Sequence, residues 1–254
     1  MLKKRGVSMS PVQGLEAEEM LNLQIRRSYK VVKHNNIIQK ARFQLSLQEQ
    51  KIILYIISKI KPDDAEFILQ DFSIIEFCKN CGIDYDNGKN YKNVKDTIKS
   101  LSDKSLWVTF ENGTESLMRW INKAWINKKS GNIKIRLDDD MKPYLLQLQR
   151  DFTEYELLYT LAMRSQYSIR LYELLKSLVY QRKPQDFDIE DLKRVLFAEN
   201  YKLYGDFKRN VLEISMREIN EFSDINITYE IEKQGRKFSK ITFFIKEKKI
   251  CQKG

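Results

Sequence analysis

Within Tyr204–Ser223, YGDFKRNVLEISMREINEFS, long hydrogen-bonding side chains gather on one helical face: Arg209, Asn210, Glu213, Arg217 and Asn220 stand opposite an apolar stripe of Phe207, Val211, Ile214, Ile219 and Phe222. Such a face suits flat, hydrogen-bonding edges. Arg donates two parallel bonds to guanine, Asn pairs two-pronged with adenine, and Glu accepts from cytosine. Lys202, Tyr204 and Lys208, at the helix start, are placed for phosphates. The competing reading is an ordinary solvated helix face. What separates the two is the company the helix keeps. INITYEIE follows it with alternating Ile225, Ile227, Tyr229 and Ile231, turns at Gln234-Gly235-Arg236, and returns as FSKITFFIK. The tip of that hairpin carries Arg236 and Lys237, suited to backbone or minor-groove contact.

Other residues with chemical potential lead nowhere enzymatic. GIDYDNGKN (Gly82 to Asn90) imitates a phosphate loop, but its spacing is one residue too long and Asn90 stands where Ser or Thr is required. Cys78 and Cys81 form a lone C-x-x-C, and zinc needs two more ligands; only Cys251 and the single histidine, His34, remain, both distant. One histidine cannot supply the paired ligands of a metal-dependent nickase. Asp138-Asp139-Asp140 follows a strand and precedes a helix, where N-capping and the helix dipole account for carboxylates. No catalytic residue, metal or cofactor is expected.

The elements that would position the polar face repeat. FSIIEFCKNC (Phe72 to Cys81) and FDIEDLKRVL (Phe187 to Leu196) share a Phe, a capping residue (Ser73, Asp188), an Ile, and an acid at the third helical position (Glu76, Asp191). This is a capping-box pattern with a hydrophobic staple, pairing Phe72 with Phe77 and Phe187 with Leu192. Before each lies a helix apolar around most of its circumference, LSLQEQKIILYIISKI and SIRLYELLKSLVY. After each comes a second helix, YKNVKDTIKSLSD in the first half and Tyr204–Ser223 in the second. Each half then ends in strands. LWVTFENGTE turns at Asn112-Gly113, and further strands follow around Leu117–Ile126 and Asn132–Leu137.

Helix, short helix, helix, hairpin, twice over, is an α+β fold of two tandem winged helix-turn-helix domains related by internal duplication. The expected division is an arm over 1–28, an N-terminal domain over 29–150, a C-terminal domain over 151–247 and a basic tail over 248–254. The boundary would fall inside a helical stretch, KPYLLQLQRDFTEYELLYTLAM. In such a domain the second helix of the pair enters the major groove, which makes double-stranded DNA the expected partner. The first half offers a thinner version: Lys92, Asn93, Asp96 and Lys99 face outward on its second helix, and its strands add Arg119, Lys123, Lys128 and Lys129. These suit phosphates, or a protein partner, more than bases.

Composition agrees. The 254 residues carry 45 Lys+Arg against 35 Asp+Glu, a net charge of +10, which favours a polyanionic partner. The longest apolar run, IILYII, is too short to span a membrane. The N-terminus lacks the apolar segment of a signal peptide, and three cysteines form no even framework, so a cytoplasmic chain with reduced thiols is expected.

KHNNIIQKARFQLSLQEQKIILYIISKI, YSIRLYELLKS, REIN and GRKFSKITFFI together resemble the iteron-binding initiator proteins of theta-replicating plasmids, from about Tyr29 to Lys246. The resemblance implies a non-enzymatic protein whose monomers bind repeated origin sites, the C-terminal domain reading the major groove. It implies opening of an adjacent AT-rich segment and recruitment of the host replication initiator and helicase. It also implies dimers, formed chiefly through the N-terminal domain, that repress their own gene. A tandem winged-helix transcriptional regulator without a replication role is the alternative.

Overall fold

The structure is a computed structural model that describes residues 29–61, 63–67, 69–81, 89–110, 112–235 and 237–248. The first half runs β1 (Lys30–His34), α1 (Asn35–Gln39), β2 (Ala41–Arg42), α2 (Leu47–Ile57), β3 (Gln70–Ser73), α3 (Ile74–Cys81), α4 (Lys89–Ser102), β4 (Ser105–Thr109), β5 (Glu115–Arg119), β6 (Ile121–Ile126), β7 (Asn132–Leu137) and α5 (Lys142–Leu145). The second runs β8 (Phe152–Glu156), α6 (Leu157–Leu161), α7 (Gln166–Lys176), β9 (Gln185–Asp188), α8 (Ile189–Leu196), α9 (Tyr204–Phe207), a π-turn (Lys208–Leu212), α10 (Glu213–Phe222), β10 (Ile225–Gln234) and β11 (Lys237–Glu247).

The halves are built alike. Central helices α2 and α7 are each 11 residues long, each start on a serine cap, Ser46 or Ser165, and are almost wholly buried. Each also ends on a serine whose Oγ donates to the carbonyl three residues back: Ser58 to Tyr55 at 2.8 Å and Ser177 to Leu174 at 2.7 Å. A strand then leads into the short helix, QDFS (β3) before α3 and QDFD (β9) before α8. Each strand pairs antiparallel with a wing strand, β3 with β7 and β9 with β11. The result is two winged-helix modules.

The caps differ in detail from the sequence pattern. Ser73 Oγ accepts from the Glu76 amide at 2.9 Å, and Asp188 accepts from the amides of Glu190 and Asp191. The acids, however, turn outward from the box: Glu76 takes the Tyr55 hydroxyl at 2.6 Å and Asp191 takes Arg194 at 2.7 Å. The reciprocal capping box instead opens α2, between Ser46 and Glu49. Phe72 does meet Phe77, ring centroids 6.3 Å apart, while Phe187 stands edge-on to Phe243 at 6.0 Å.

Two local expectations are corrected and a third is met. The stretch from Lys142 to Met163 is not one helix but α5, a loop with left-handed Gln147 and Asp151, strand β8, and α6. Strand β8 exists because it pairs with β1, Lys30 opposite Glu156 through His34 opposite Phe152. Segments on either side of residue 150 therefore share one ribbon. The Asn112-Gly113 signal is met: β4 and β5 pair antiparallel across it, with Gly113 at φ 82°. Finally, the strand expected over Leu117–Ile126 breaks at Trp120, whose indole is buried edge-on against Phe43 at 4.9 Å. Strand β5 completes the sheet β2-β4-β5, and β6 crosses to the sheet β3-β7-β6.

The buried apolar residues of the two halves form one continuous cluster. Where β1 and β8 meet α7, Lys33 pairs with Glu173, Tyr155 donates to the same carboxylate, and Arg170 lies 4.1 Å from the Phe43 ring centroid. Arg170 also donates to the carbonyls of Ile38 and Ala41, both at 3.4 Å. Burial pushes the Lys33 ammonium and the Arg170 guanidinium down and the Tyr155 phenol up.

Candidate nucleic-acid interface

The Tyr204–Phe222 segment, the candidate reading helix, is continuous in direction but not in pitch. Its π-turn places Phe207 and Leu212, five residues apart, both in the core; Ser215 and Ile219 continue the buried stripe. The extra residue accommodated by a π-turn explains why Leu212 and Ser215 point inward where the simple wheel placed Ile214, which is only half-buried. Neighbouring elements hold the helix. Glu218 is buried, and its Oε2 accepts from the backbone amides of Arg164 and Ser165, both at 3.2 Å, at the start of α7. At the far end Lys248 Nζ donates to the carbonyls of Asn220 at 2.6 Å and Ser223 at 2.7 Å.

On the outer face Lys208, Arg209, Glu213 and Arg217 are exposed. Arg209 reaches back to Asp206 at 2.7 Å while keeping 71% of its side chain accessible, and Lys208 lies 3.5 Å from Glu213. Arg217 has no ion-pair partner among the described residues. Asn210 is half-buried and donates to the Asp206 carbonyl at 2.9 Å, and among the described residues its amide oxygen accepts no hydrogen bond. These ion pairs are exposed and weak in water, so a polyanion can replace them. Asn220, grouped with this face by the wheel, belongs to the protein's own scaffold. Its Nδ2 donates to the Ile227 carbonyl at 2.9 Å and its Oδ1 accepts the Ile227 amide at 2.6 Å. The chain that follows the helix folds back beside it, which no helical period can reveal.

The wing is the antiparallel hairpin β10–β11, Gln234 opposite Lys237, with Gly235 at φ 64°. Lys237 is exposed; Arg236 lies outside the described residues. Tyr204 stacks on Phe238 of β11, centroids 3.9 Å apart, and Lys233 stands 4.5 Å over the same ring. Burial pushes the Tyr204 phenol up to about 12. Tyr204 thus ties the start of the reading helix to the wing, a partner that sequence spacing alone does not disclose. Lys202 is exposed just ahead of it.

In the first half Val94, Ile98 and Leu101 bury one side of α4, leaving Lys92, Asn93, Asp96 and Lys99 exposed. Lys99 approaches Asp103 at 3.4 Å. Lys128 and Lys129 are exposed in the β6–β7 turn, and Lys123 stands 5.0 Å over the half-exposed Trp125 ring on β6. Arg119 is exposed on β5, in the other sheet.

The remaining chemical candidates are structural where described. Asp138 accepts from the Asp140 amide at 3.1 Å as an N-cap, and His34 Nδ1 accepts from the Asn36 amide at 3.1 Å. The Cys78 thiol is buried, and burial raises it. The loop Gly82–Gly88, Cys251 and the Cys81 side chain lie outside the described residues. Among the described residues no helix is long and apolar enough to cross a membrane.

Comparison with known proteins places this architecture. Residues 30–176 match the family model for the initiator replication protein, first winged-helix domain, and residues 188–245 match that for the initiator Rep protein, second winged-helix domain. The chain is 24% identical over 226 residues to a replication initiation protein of Escherichia coli, covering 84% of this chain and 68% of that one. It is 27% identical over 170 residues to the PI protein of Escherichia coli, covering 58% and 55% respectively, so it spans about half the length of that relative. Its fold matches the crystal structure of the Pi initiator protein in complex with iteron DNA, with a TM-score of 0.73 at 19% identity, over 88% of this chain and 99% of that one. With the two family models matched in chain order, the chain belongs to the initiator replication protein family and carries both of its winged-helix domains.

Proposed function

We propose that this chain is a plasmid replication initiator that binds repeated origin sites on double-stranded DNA. The observation that carries the reading is the exposed Arg209, Glu213 and Arg217 face on the second helix of a helix-turn-helix, with the wing attached to its start through Tyr204. An α-helix fits the major groove, and Arg, Asn and Glu match base edges there. Arg209, Asn210, Glu213 and Arg217 read bases, while Lys202, Tyr204, Lys208, Arg236 and Lys237 meet the backbone. The N-terminal module adds phosphate contacts from Lys92, Asn93, Lys99, Arg119, Lys123, Lys128 and Lys129, and is the surface for dimerisation. Bound monomers open the adjacent DNA and recruit the host replication initiator and helicase; dimers repress the protein's own gene. Membership of an initiator family and the fold shared with an initiator solved on iteron DNA support this.

The test is fluorescence anisotropy on duplexes holding direct repeats from the DNA that flanks the coding sequence, against scrambled duplexes of the same composition. Specific binding about 10³-fold tighter or more is expected. Equal affinity for both would end the reading. Preference for an inverted repeat over a promoter, with none for direct repeats, would replace it with a transcriptional regulator.

A further inference from the structure

We propose that the groove between the α7–β9 connection and the end of β11 docks an acidic, apolar peptide segment of a partner protein. The groove measures about 300 Å³; its floor includes Val179, Pro184 and Phe244, and its rim Arg182, Lys183 and Lys246. Residues alternate in facing along a strand. Ile241 and Phe243 enter the core against which the reading helix packs, so Phe244 faces the other side of the wing sheet. None of Arg209, Glu213 and Arg217 lines the groove, so a partner seated in it does not occupy that face.

The wall is built in advance. A 3₁₀ turn, Val179–Gln181, ends on Arg182, which is held left-handed at φ 50° with its amide bonded to the Val179 carbonyl at 3.1 Å. A non-glycine residue is uncommon there, and it projects Arg182 beside the groove. Tyr180 is 70% exposed on the same turn.

Charge and shape name the occupant together. Arg182, Lys183 and Lys246 are exposed, and among the described residues none has a carboxylate within salt-bridge distance. Lys183 acts on Asp186 only through space, and Glu247 at the rim is engaged by Lys176 at 3.4 Å. Three unengaged cations around a concave apolar floor complement carboxylates that flank an aliphatic or aromatic side chain. A phosphate backbone would meet the cations but leave Val179, Pro184 and Phe244 uncovered.

The test uses the full chain and three labelled dodecapeptides: one of aspartate with leucine and phenylalanine, one with asparagine for every aspartate, and one of aspartate with serine. The first should bind at least about tenfold more tightly than either control. The variant Arg182→Glu/Lys183→Glu/Lys246→Glu should weaken it about tenfold or more, with an unchanged thermal midpoint and an unchanged ratio of specific to scrambled duplex affinity. Lys246→Ser, a single change on an exposed strand position, should weaken it in the same direction. Equal binding of all three peptides, or a triple variant that binds like the parent, overturns the proposal. So does a triple variant that loses duplex DNA while peptide binding is unaltered, since the face would then belong to nucleic acid. The peptide arm is read without DNA, so its outcome is independent of whether origin repeats are bound.

Discussion

At the scale of single residues, Arg217 and Asn220 show how neighbours on one helix come to do different work. Arg217 is exposed with no ion-pair partner among the described residues, whereas Asn220 makes two bonds to the backbone of Ile227, a residue 1% exposed. Asn220→Ala would leave a buried amide and a buried carbonyl unpaired, at a cost of roughly 1–3 kcal/mol. Its thermal midpoint should fall, and DNA affinity should fall with it because the wing loses its register against the reading helix. Asn220→Asp keeps the acceptor for the Ile227 amide and loses the donor, so its midpoint should lie lower than the parent's too. Arg217→Ala should instead leave the thermal midpoint in place and cost roughly 1–3 kcal/mol on the preferred duplex while relaxing sequence preference. Equal losses on every duplex would make Arg217 a phosphate contact. The periodicity of YGDFKRNVLEISMREINEFS disclosed a polar face. It could not separate these two residues, because the separation depends on where β10 returns. Nor does KRNVL contain a glycine or proline to announce the π-turn that brings Leu212 inside.

At the scale of elements, the parts most legible in sequence were those whose signals are local: serine and aspartate caps, the repeated QDF strands before α3 and α8, and the alternation of the wing. The part least legible was Lys142–Met163, where Leu and Tyr satisfy a helical period but β1, far earlier in the chain, captures Phe152–Glu156 as a strand. Coupling between elements is equally non-local, and the Tyr204–Phe238 stack is the testable case. Such a ring pair contributes about 0.5–1.5 kcal/mol beyond burial. Phe238→Ala should loosen the wing and weaken duplex binding with little change in base preference. It should also move a titration. Burial raises the Tyr204 phenol to about 12, so the folded protein holds that proton more tightly than the unfolded chain does. The contribution is complete below the ordinary tyrosine value near 10 and is lost as pH rises toward 12. A difference ultraviolet titration, parent minus Tyr204→Phe, should show one phenol ionising late; in Phe238→Ala that phenol should ionise closer to its ordinary value. A late phenol unmoved by Phe238→Ala would mean that other contacts desolvate Tyr204.

At the scale of the molecule, one continuous core joins the two winged modules, and the seam where β1 and β8 meet α7 is rich in buried charge. Lys33 and Glu173 are both buried, and Arg170 lies 3.8 Å from the same carboxylate. Removing the shared anion strands two cations out of water. Glu173→Gln should therefore cost about 3–5 kcal/mol, read as a lower denaturant midpoint, and the two halves should still unfold in one transition because their cores are continuous. Separate transitions would mean that the modules are joined only by the ribbon of β1 and β8. A chain joined in this way carries its basic surface as one body, and the net charge of +10 makes the dependence of DNA affinity on salt the most global measurement of that surface. Each neutralised phosphate releases counterions, with a slope of log affinity against log salt of about −0.9 per contact. Reversing Lys92, Lys99, Lys128 and Lys129, all exposed on α4 and the β6–β7 turn, should flatten that slope while leaving the ratio of specific to scrambled affinity nearly unchanged. Arg217→Ala should do the opposite, lowering the ratio with a smaller effect on the slope. If the fourfold reversal leaves the slope where it was, the first module stands clear of the duplex and its lysines serve another surface.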